Sequence, residues 1–111
     1  YTLACDRGNA NIAYLYNHFN PAVLRLIQRT ITSARENGIW AGMCGEMASD
    51  PNAAVLLMAM GISELSMSAP SIPRVKEKIR NISSIKAKEI LADVMKMEDG
   101  DEIKAYLAKI V

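Results

Sequence analysis

Gly42-Met43-Cys44-Gly45-Glu46-Met47-Ala48-Ser49-Asp50-Pro51 joins a predicted strand to a predicted helix. The apolar run Ile39-Trp40-Ala41 leads into it and favours a short buried strand. Asp50-Pro51 ends it with a helix start, because Asp is a common N-cap and proline fits the first helical turn. A strand, a tight loop containing glycine and then a capped helix are typical of a βα junction in an α/β fold.

This loop carries a thiol and a carboxylate, Cys44 and Glu46, two residues apart. In α/β folds, chemistry takes place at the carboxyl ends of the strands. Gly42 and Gly45 have no Cβ atom, so backbone and ligand can approach the thiol closely. Two interpretations stay open from the residues alone: an acid–base site, or a packed loop without chemistry.

Composition and charge exclude several classes of protein. The chain has 111 residues, 50% of them hydrophobic, and a formal net charge of +1, which fits at most one globular domain. No basic patch with interleaved aromatic residues is present, so we expect no nucleic-acid partner. The longest nearly apolar run, Ala53 to Ile62, is shorter than the roughly 20 residues that span a bilayer, so we expect no membrane insertion.

The two cysteines, Cys5 and Cys44, lie far apart and show neither a CxxC motif nor metal-ligand spacing. This pattern favours reduced thiols and a cytoplasmic location. We expect Cys5 to be a buried packing residue.

Two short parallel strands are predicted, over residues 39–43 and 62–67, in a sheet buried on both faces. Residues 1–5 alternate between bulky and small side chains and could end another strand. The predicted class is therefore α/β, mostly helical, with about two short parallel strands and four to five helices.

The first predicted helix starts at Asn20-Pro21, has one apolar face and ends at Gly38. Further helices are predicted over 52–60, from about 71 to 80, from 83 or 84 to about 97, and from about 99 onward. The inward-facing positions expected in the third and fourth of these helices include Ile72, Val75, Ile79, Ile85, Leu91 and Val94.

The polar loop Asp6-Arg7-Gly8-Asn9 suits a turn and presents one arginine. Arg7 could be an ordinary solvated side chain. Alternatively, its planar fork of donors could hold a carboxylate or phosphate through two contacts. His18, the only histidine, lies beside aromatic residues, and we assign it no chemistry.

The motif over residues 42–51 resembles the active-site cysteine loop of enzyme I of the bacterial sugar phosphotransferase system, the phosphoenolpyruvate–protein phosphotransferase family. The opening Tyr1-Thr2-Leu3-Ala4-Cys5-Asp6-Arg7-Gly8-Asn9 is similar to that family as well. Similarity runs from Tyr1 to about Arg80, and the later residues match more loosely. The other matching motifs are Tyr14-Leu15-Tyr16, Pro21-Ala22-Val23-Leu24 and Glu64-Leu65-Ser66-Met67-Ser68.

The resemblance implies the C-terminal part of a TIM-like (βα)8 barrel that binds phosphoenolpyruvate. Such a barrel takes about 250 residues. Residues 1–111 would then form a single partial domain, with the final βα units over 1–80 and C-terminal helices over 81–111. We expect a fragment that is inactive alone and a parent enzyme that is a homodimer.

The resemblance also implies a reaction and the roles of three residues. In enzyme I, a histidine on another domain takes the phosphoryl group of phosphoenolpyruvate, pyruvate is released, and the phosphoryl group passes to the phosphate-carrier protein for sugar uptake. By resemblance, Cys44 donates a proton to the pyruvate enolate, Arg7 binds phosphoenolpyruvate and Glu46 is a possible supporting residue. A thiol suits this role because it is mostly protonated near neutral pH.

Mg2+ is the cofactor that the resemblance implies for the parent enzyme. The family's magnesium ligands precede the position of Tyr1, so we assign no metal ligand in this chain. Two other readings stay open: a fragment of a pyruvate phosphate dikinase or phosphoenolpyruvate synthase, which share the Cys-Gly-Glu loop, or a non-catalytic dimerisation module. The Met-Ala-Ser-Asp continuation and the Asp-Arg-Gly-Asn opening look more like enzyme I.

Overall fold

Five helices and two parallel strands make up the regular structure in a computed structural model that describes residues 1–111. The predicted class, mostly helical with two short parallel strands, is therefore confirmed. In chain order the elements are α1 (Pro21–Glu36), β1 (Gly42–Met43), α2 (Pro51–Met60), β2 (Glu64–Leu65), α3 (Ile72–Arg80), α4 (Ser84–Val94) and α5 (Gly100–Ile110).

Side-chain caps fix where most of the helices begin. Asn20 Oδ1 accepts a hydrogen bond from the Ala22 N–H at 2.9 Å, so α1 starts where the sequence predicts. The Ser83 side chain caps α4 in the same way, and the Asp99 carboxylate caps α5. Each cap pairs a backbone N–H that the first helical turn leaves without a partner.

Helix α2 forms the centre of the core, because it is apolar on nearly every side and contacts α1, α3 and α4. All five residues from Ala53 to Leu57 are 0% exposed. Burial of this much apolar surface is the main stabilising contribution to a fold of this size. Other helices contribute the buried residues Leu24, Ile31, Ile90, Val94, Ile103 and Leu107.

The two strands pair in parallel, with Gly42 opposite Glu64 and Met43 opposite Leu65. Helix α2 connects them, so their carboxyl ends lie at the same edge. The Ser66 N–H donates a hydrogen bond of 2.8 Å to the Met43 carbonyl oxygen at that edge. The segment after β2 therefore lies beside the loop that begins at Cys44.

The strands are much shorter than predicted, and the prediction of a sheet buried on both faces is wrong. Residues 1–5 form turns and no strand, and only two residues of each predicted later strand pair. Ile39 and Trp40 are 64% and 69% exposed. The physical reason is that β1 and β2 pair only with each other, so Ile39 and Trp40 have no further strand to cover them, whereas Ala41 still packs against the core.

Two of the expected inward-facing residues are also exposed. Ile85 lies off the row Ala87, Ile90, Leu91 and Val94 that faces the core, because residues two apart on a helix point in very different directions. Ile72 is the first residue of α3 and lies at the end of the helix, whereas Val75 one turn later is buried. None of the helices combines the length and apolar character that crossing a bilayer requires.

Candidate active site

A tight turn presents Arg7, as the sequence predicts. Asp6 Oδ1 accepts a hydrogen bond of 2.8 Å from the Gly8 N–H, and the Asp6 carbonyl accepts one from the Asn9 N–H. This arrangement is an Asx turn, in which a short carboxylate replaces a backbone acceptor. The Arg7 side chain is 69% exposed, so its guanidinium is accessible to a ligand from solution.

The Cys44 loop follows the end of β1 directly. The thiol of Cys44 is free and exposed. Gly45 takes a φ of +83°, a left-handed conformation that glycine adopts at little cost. The loop then enters a short 3-10 turn over Met47–Ser49, in which Met47 is buried, and this turn anchors the exposed part of the loop to the core.

The lack of a Cβ atom at Gly42 makes room for the Trp40 side chain rather than for a ligand. A Cβ atom at this position would lie 2.8 Å from a ring carbon of Trp40. The indole ring of Trp40 therefore packs against the α-carbon of Gly42, two residues before Cys44. The free space at this glycine is occupied by a side chain of the protein itself.

Glu46 joins the Arg7 turn to the Cys44 loop. Its Oε1 atom lies 3.9 Å from Nη1 of Arg7, and its Oε2 atom accepts a hydrogen bond of 3.0 Å from the Tyr16 hydroxyl. The structure thus places two of the three predicted site residues in contact. Cys44 is two residues from Glu46 on the same loop and makes no hydrogen bond to Arg7.

A cleft of about 460 Å3 lies beside this contact, bordered by Arg7, Tyr16, Cys5 and His18 among others. Cys5 is half-buried in its wall rather than fully buried as predicted. A larger cleft of about 600 Å3 lies on another part of the surface, at α3 and α4, and contains none of the predicted site residues. The smaller cleft contains Arg7, whereas neither Cys44 nor Glu46 is among the residues that line it.

The electrostatics of Tyr16 support its role as a donor. Burial raises the pKa of Tyr16 above its ordinary value of 10.0, the neighbouring Glu46 carboxylate raises it further, and Arg7 acts in the opposite direction. An ordinary phenol is already protonated at neutral pH, and the raised pKa keeps Tyr16 in that form. Its hydroxyl therefore donates to Glu46 throughout the physiological range.

His18 contacts the residue that starts α2. Its Nε2 atom lies 3.1 Å from Oδ2 of Asp50, and its ring lies 4.5 Å from that of Phe19, centroid to centroid. Burial acts to raise the pKa of Asp50, but the hydrogen bonds from His18 and from the amides of Ala53 and Asn52 outweigh it and lower the pKa. His18 therefore contributes to the helix start rather than to the cleft chemistry.

Sequence reasoning missed the contacts of Tyr16 and His18. Tyr16 lies 30 positions before Glu46, and its segment has no regular hydrophobic period that would indicate which side chain it meets. The available signal was the matching motif Tyr14-Leu15-Tyr16, which marks the segment without assigning a role to its residues.

The residues of this chain do not fit a magnesium site by themselves. No group of three or more His, Cys, Asp or Glu side chains is arranged so that it could hold a metal ion. Mg2+ prefers six oxygen ligands, of which carboxylates usually supply one or two and waters or substrate phosphates the rest. The chemistry available to the described residues is therefore that of an arginine, a thiol, a carboxylate and a phenol.

Comparison with known proteins covers both the Arg7 turn and the Cys44 loop. A family model described as "PEP-utilising enzyme, PEP-binding domain" matches residues 1–84, a range that includes Arg7, Cys44 and Glu46. The chain belongs to this family. The resemblance drawn from the Cys44 loop and the opening segment is thereby confirmed.

Several relatives in this PEP-binding family carry the name phosphoenolpyruvate-protein phosphotransferase. The one from Buchnera aphidicola subsp. Acyrthosiphon pisum is 48% identical over 103 residues, which cover 93% of this chain and 18% of that protein. The one from Haemophilus influenzae is 53% identical over 93 residues, or 84% of this chain and 16% of that protein. The one from Bacillus subtilis is 41% identical over 107 residues, or 96% of this chain and 19% of that protein.

The chain thus spans about a fifth of the length of the curated relatives it matches. What these comparisons show for the chain itself is membership of the PEP-binding domain family.

Proposed function

We propose that this chain is the C-terminal part of the catalytic domain of a phosphoenolpyruvate–protein phosphotransferase. The parent enzyme would transfer the phosphoryl group of phosphoenolpyruvate to a protein histidine, release pyruvate and pass the phosphoryl group to the phosphate-carrier protein in sugar uptake. The observation that carries the proposal is the family match over residues 1–84, which covers both the Arg7 turn and the Cys44 loop; the structure brings these two loops together at Arg7 and Glu46. The names of the relatives support the same reaction.

In this proposal, Arg7 binds the substrate. Phosphoenolpyruvate carries a carboxylate and a phosphate, and both suit the planar donor fork of a guanidinium. The exposed position of Arg7 at the cleft makes those donors accessible. Glu46 supports the site through its hydrogen bond from Tyr16, which holds the Cys44 loop beside the segment that follows the Arg7 turn.

Cys44 acts as the proton donor. Transfer of the phosphoryl group leaves the enolate of pyruvate, whose methylene carbon takes the thiol proton to give pyruvate and a thiolate. Because Cys44 is exposed, the thiolate can regain a proton from water before the next cycle. Its position two residues after Gly42, at the carboxyl end of β1, matches the usual location of chemistry in α/β folds.

The wider architecture is part of the proposal. We infer that β1 and β2, with α2 between them, are βα units of a TIM-like barrel. The rest of the parent chain would complete this barrel, and the parent would be a homodimer in the cytoplasm. Residues 1–80 would supply these units and residues 81–111 the C-terminal helices. The exposed apolar residues Ile39 and Trp40 support this reading, because further strands would cover them. Mg2+ would be held by ligands elsewhere in the parent.

Variants of the parent enzyme test the two main roles separately. We expect Arg7→Ala to weaken phosphoenolpyruvate binding about tenfold or more, because a charge-assisted contact is lost. Arg29→Ala, which removes an exposed arginine of α1, is the matched control and should bind normally. We expect Cys44→Ala to retain binding but to release pyruvate slowly. Normal binding by Arg7→Ala would contradict the assignment.

The 111-residue chain alone should release no pyruvate from phosphoenolpyruvate when phosphate-carrier protein and Mg2+ are supplied. Measurable release would show that the fragment is a complete catalyst and would overturn this part of the proposal. In the parent, dependence on an acceptor protein rather than on nucleotide and phosphate distinguishes the phosphotransferase from a dikinase.

A further inference from the structure

Glu46 is chemically similar to the ligand proposed for Arg7, since both present a carboxylate. Glu46 Oε1 lies 3.9 Å from the Arg7 Nη1 atom. A charge-assisted N–H···O hydrogen bond is shorter, at about 2.7–2.9 Å. The two side chains therefore form a loose ion pair rather than a closed, bidentate one.

The Tyr16 hydroxyl holds the other oxygen of the same carboxylate. Its hydrogen bond to Glu46 Oε2 is 3.0 Å long. A closed pair with a guanidinium needs both carboxylate oxygens turned toward the donor fork. The Tyr16 hydrogen bond restrains Oε2, and the nearest approach of this carboxylate to Arg7 is through Oε1, beyond hydrogen-bond distance.

The Tyr16 contact is the restraint on Glu46 that the structure provides. The Glu46 side chain is 64% exposed, and the Tyr16 bond is the only hydrogen bond that its carboxylate makes. Tyr16 is itself fixed at the end of a 3-10 turn, where its N–H donates to the Ala13 carbonyl at 3.0 Å. The backbone of Tyr16 is thus held in place, and its hydroxyl is the one group that restrains the Glu46 carboxylate by a hydrogen bond.

We propose that Tyr16 is a positioning residue that holds Glu46 away from Arg7 and so keeps the guanidinium open for the anionic groups of the substrate. Without the hydroxyl, Glu46 closes on Arg7 and competes with the incoming carboxylate or phosphate. This inference rests on the proposed function, in which Arg7 binds phosphoenolpyruvate.

The test is phosphoenolpyruvate binding by the full-length protein, measured by titration calorimetry for four proteins: the unmodified protein, Tyr16→Phe, Glu46→Gln and the double variant. We expect Tyr16→Phe to weaken binding about two- to fivefold, which is the size of an exposed ion pair. Glu46→Gln should bind at least as tightly as the unmodified protein, because the competing charge is gone. In the Glu46→Gln background, Tyr16→Phe should have no further effect.

Two results would overturn the inference. Equal weakening by Tyr16→Phe in both backgrounds would mean that Tyr16 acts independently of Glu46. Weaker binding by Glu46→Gln would mean that the Glu46 carboxylate helps Arg7 to bind the ligand instead of competing with the ligand for Arg7. This comparison does not depend on whether Tyr16→Phe folds. Arg7→Ala, measured in parallel, separates the two proposals, since its normal binding would refute the proposed function itself.

Discussion

The Nε2 atom of His18 lies 3.1 Å from the Oδ2 atom of Asp50, while Oδ1 of the same carboxylate accepts hydrogen bonds from the first turn of α2. One carboxylate thus joins the segment before α1 to the start of the central helix. Both side chains are largely buried, with 22% and 29% of their surface exposed. The pair sits where the Cys44 loop ends and the core begins.

This contact should make stability depend on Asp50 at low pH. The hydrogen bonds from His18 and the α2 amides outweigh burial and lower the pKa of Asp50 below its ordinary value of 3.8. The stabilisation is therefore complete above pH 3.8 and is lost as the pH falls through the lower folded value. We expect the stability of the native protein to fall more steeply below this pH than that of Asp50→Asn.

Two substitutions separate the charge of Asp50 from its capping role. Asparagine retains a capping oxygen, whereas Asp50→Ala removes it and should cost about 1 kcal/mol at neutral pH. Urea unfolding of the full-length protein, at one fixed protein concentration and from pH 7 to 2, measures both effects, and the same protein serves for the next two predictions. Parallel pH profiles for the native protein and Asp50→Asn would contradict the assignment.

Gly61 should resist substitution because it ends α2 in a left-handed conformation. Its φ is +92°, so Gly61→Ala should lose about 1–2 kcal/mol through backbone strain. An added Cβ would also lie 2.5 Å from the Arg35 guanidinium, but that exposed side chain can move. Urea unfolding of the double variant Arg35→Ala/Gly61→Ala checks this, since restored stability would identify a clash rather than strain as the cause.

Leu56 should be among the most sensitive core positions. It is 0% exposed in α2, so Leu56→Ala should cost about 2–5 kcal/mol through lost burial and the cavity left behind. Leu26→Ala is the matched control, because Leu26 of α1 is 51% exposed and should have little effect. Similar losses for both variants in urea unfolding would show that α2 is not the centre of the core in solution.

The isolated chain should self-associate or stay partly disordered. Its sheet has only two short strands, and the apolar side chains of Ile39 and Trp40 project into solvent. Light scattering together with a thermal melt tests this, and Trp40→Ser should lower any self-association. A sharp monomeric mass with a cooperative melt would show that the chain folds alone.

Much of the fold could be predicted from local chemistry. Asn20, Asp50 and Ser83 start helices where the sequence indicates, and Gly61 ends α2, because caps and left-handed glycines are decided by a few neighbouring residues. Strand length could not be predicted in this way. It depends on which partner lies alongside, and the apolar run at Ile39 has none in this chain.

The candidate site also has a part that the sequence predicts and a part that it does not. Arg7, Cys44 and Glu46 were identified from residue type and motif, and the structure adds that Arg7 and Glu46 are in contact. Whether they act as proposed stays a prediction. The contribution of Tyr16 depends on a side-chain contact across 30 positions, which no local pattern encodes.

The packing of Trp40 against Gly42 has a practical consequence. Trp40 is the only tryptophan of the chain, and its indole lies against the backbone two residues before Cys44. Indole fluorescence depends on contact with water, and this ring is still largely exposed. Because the chain has a single tryptophan, the emission of the isolated chain reports on the packing at Gly42, and covering of this ring by further strands in the parent would change that emission.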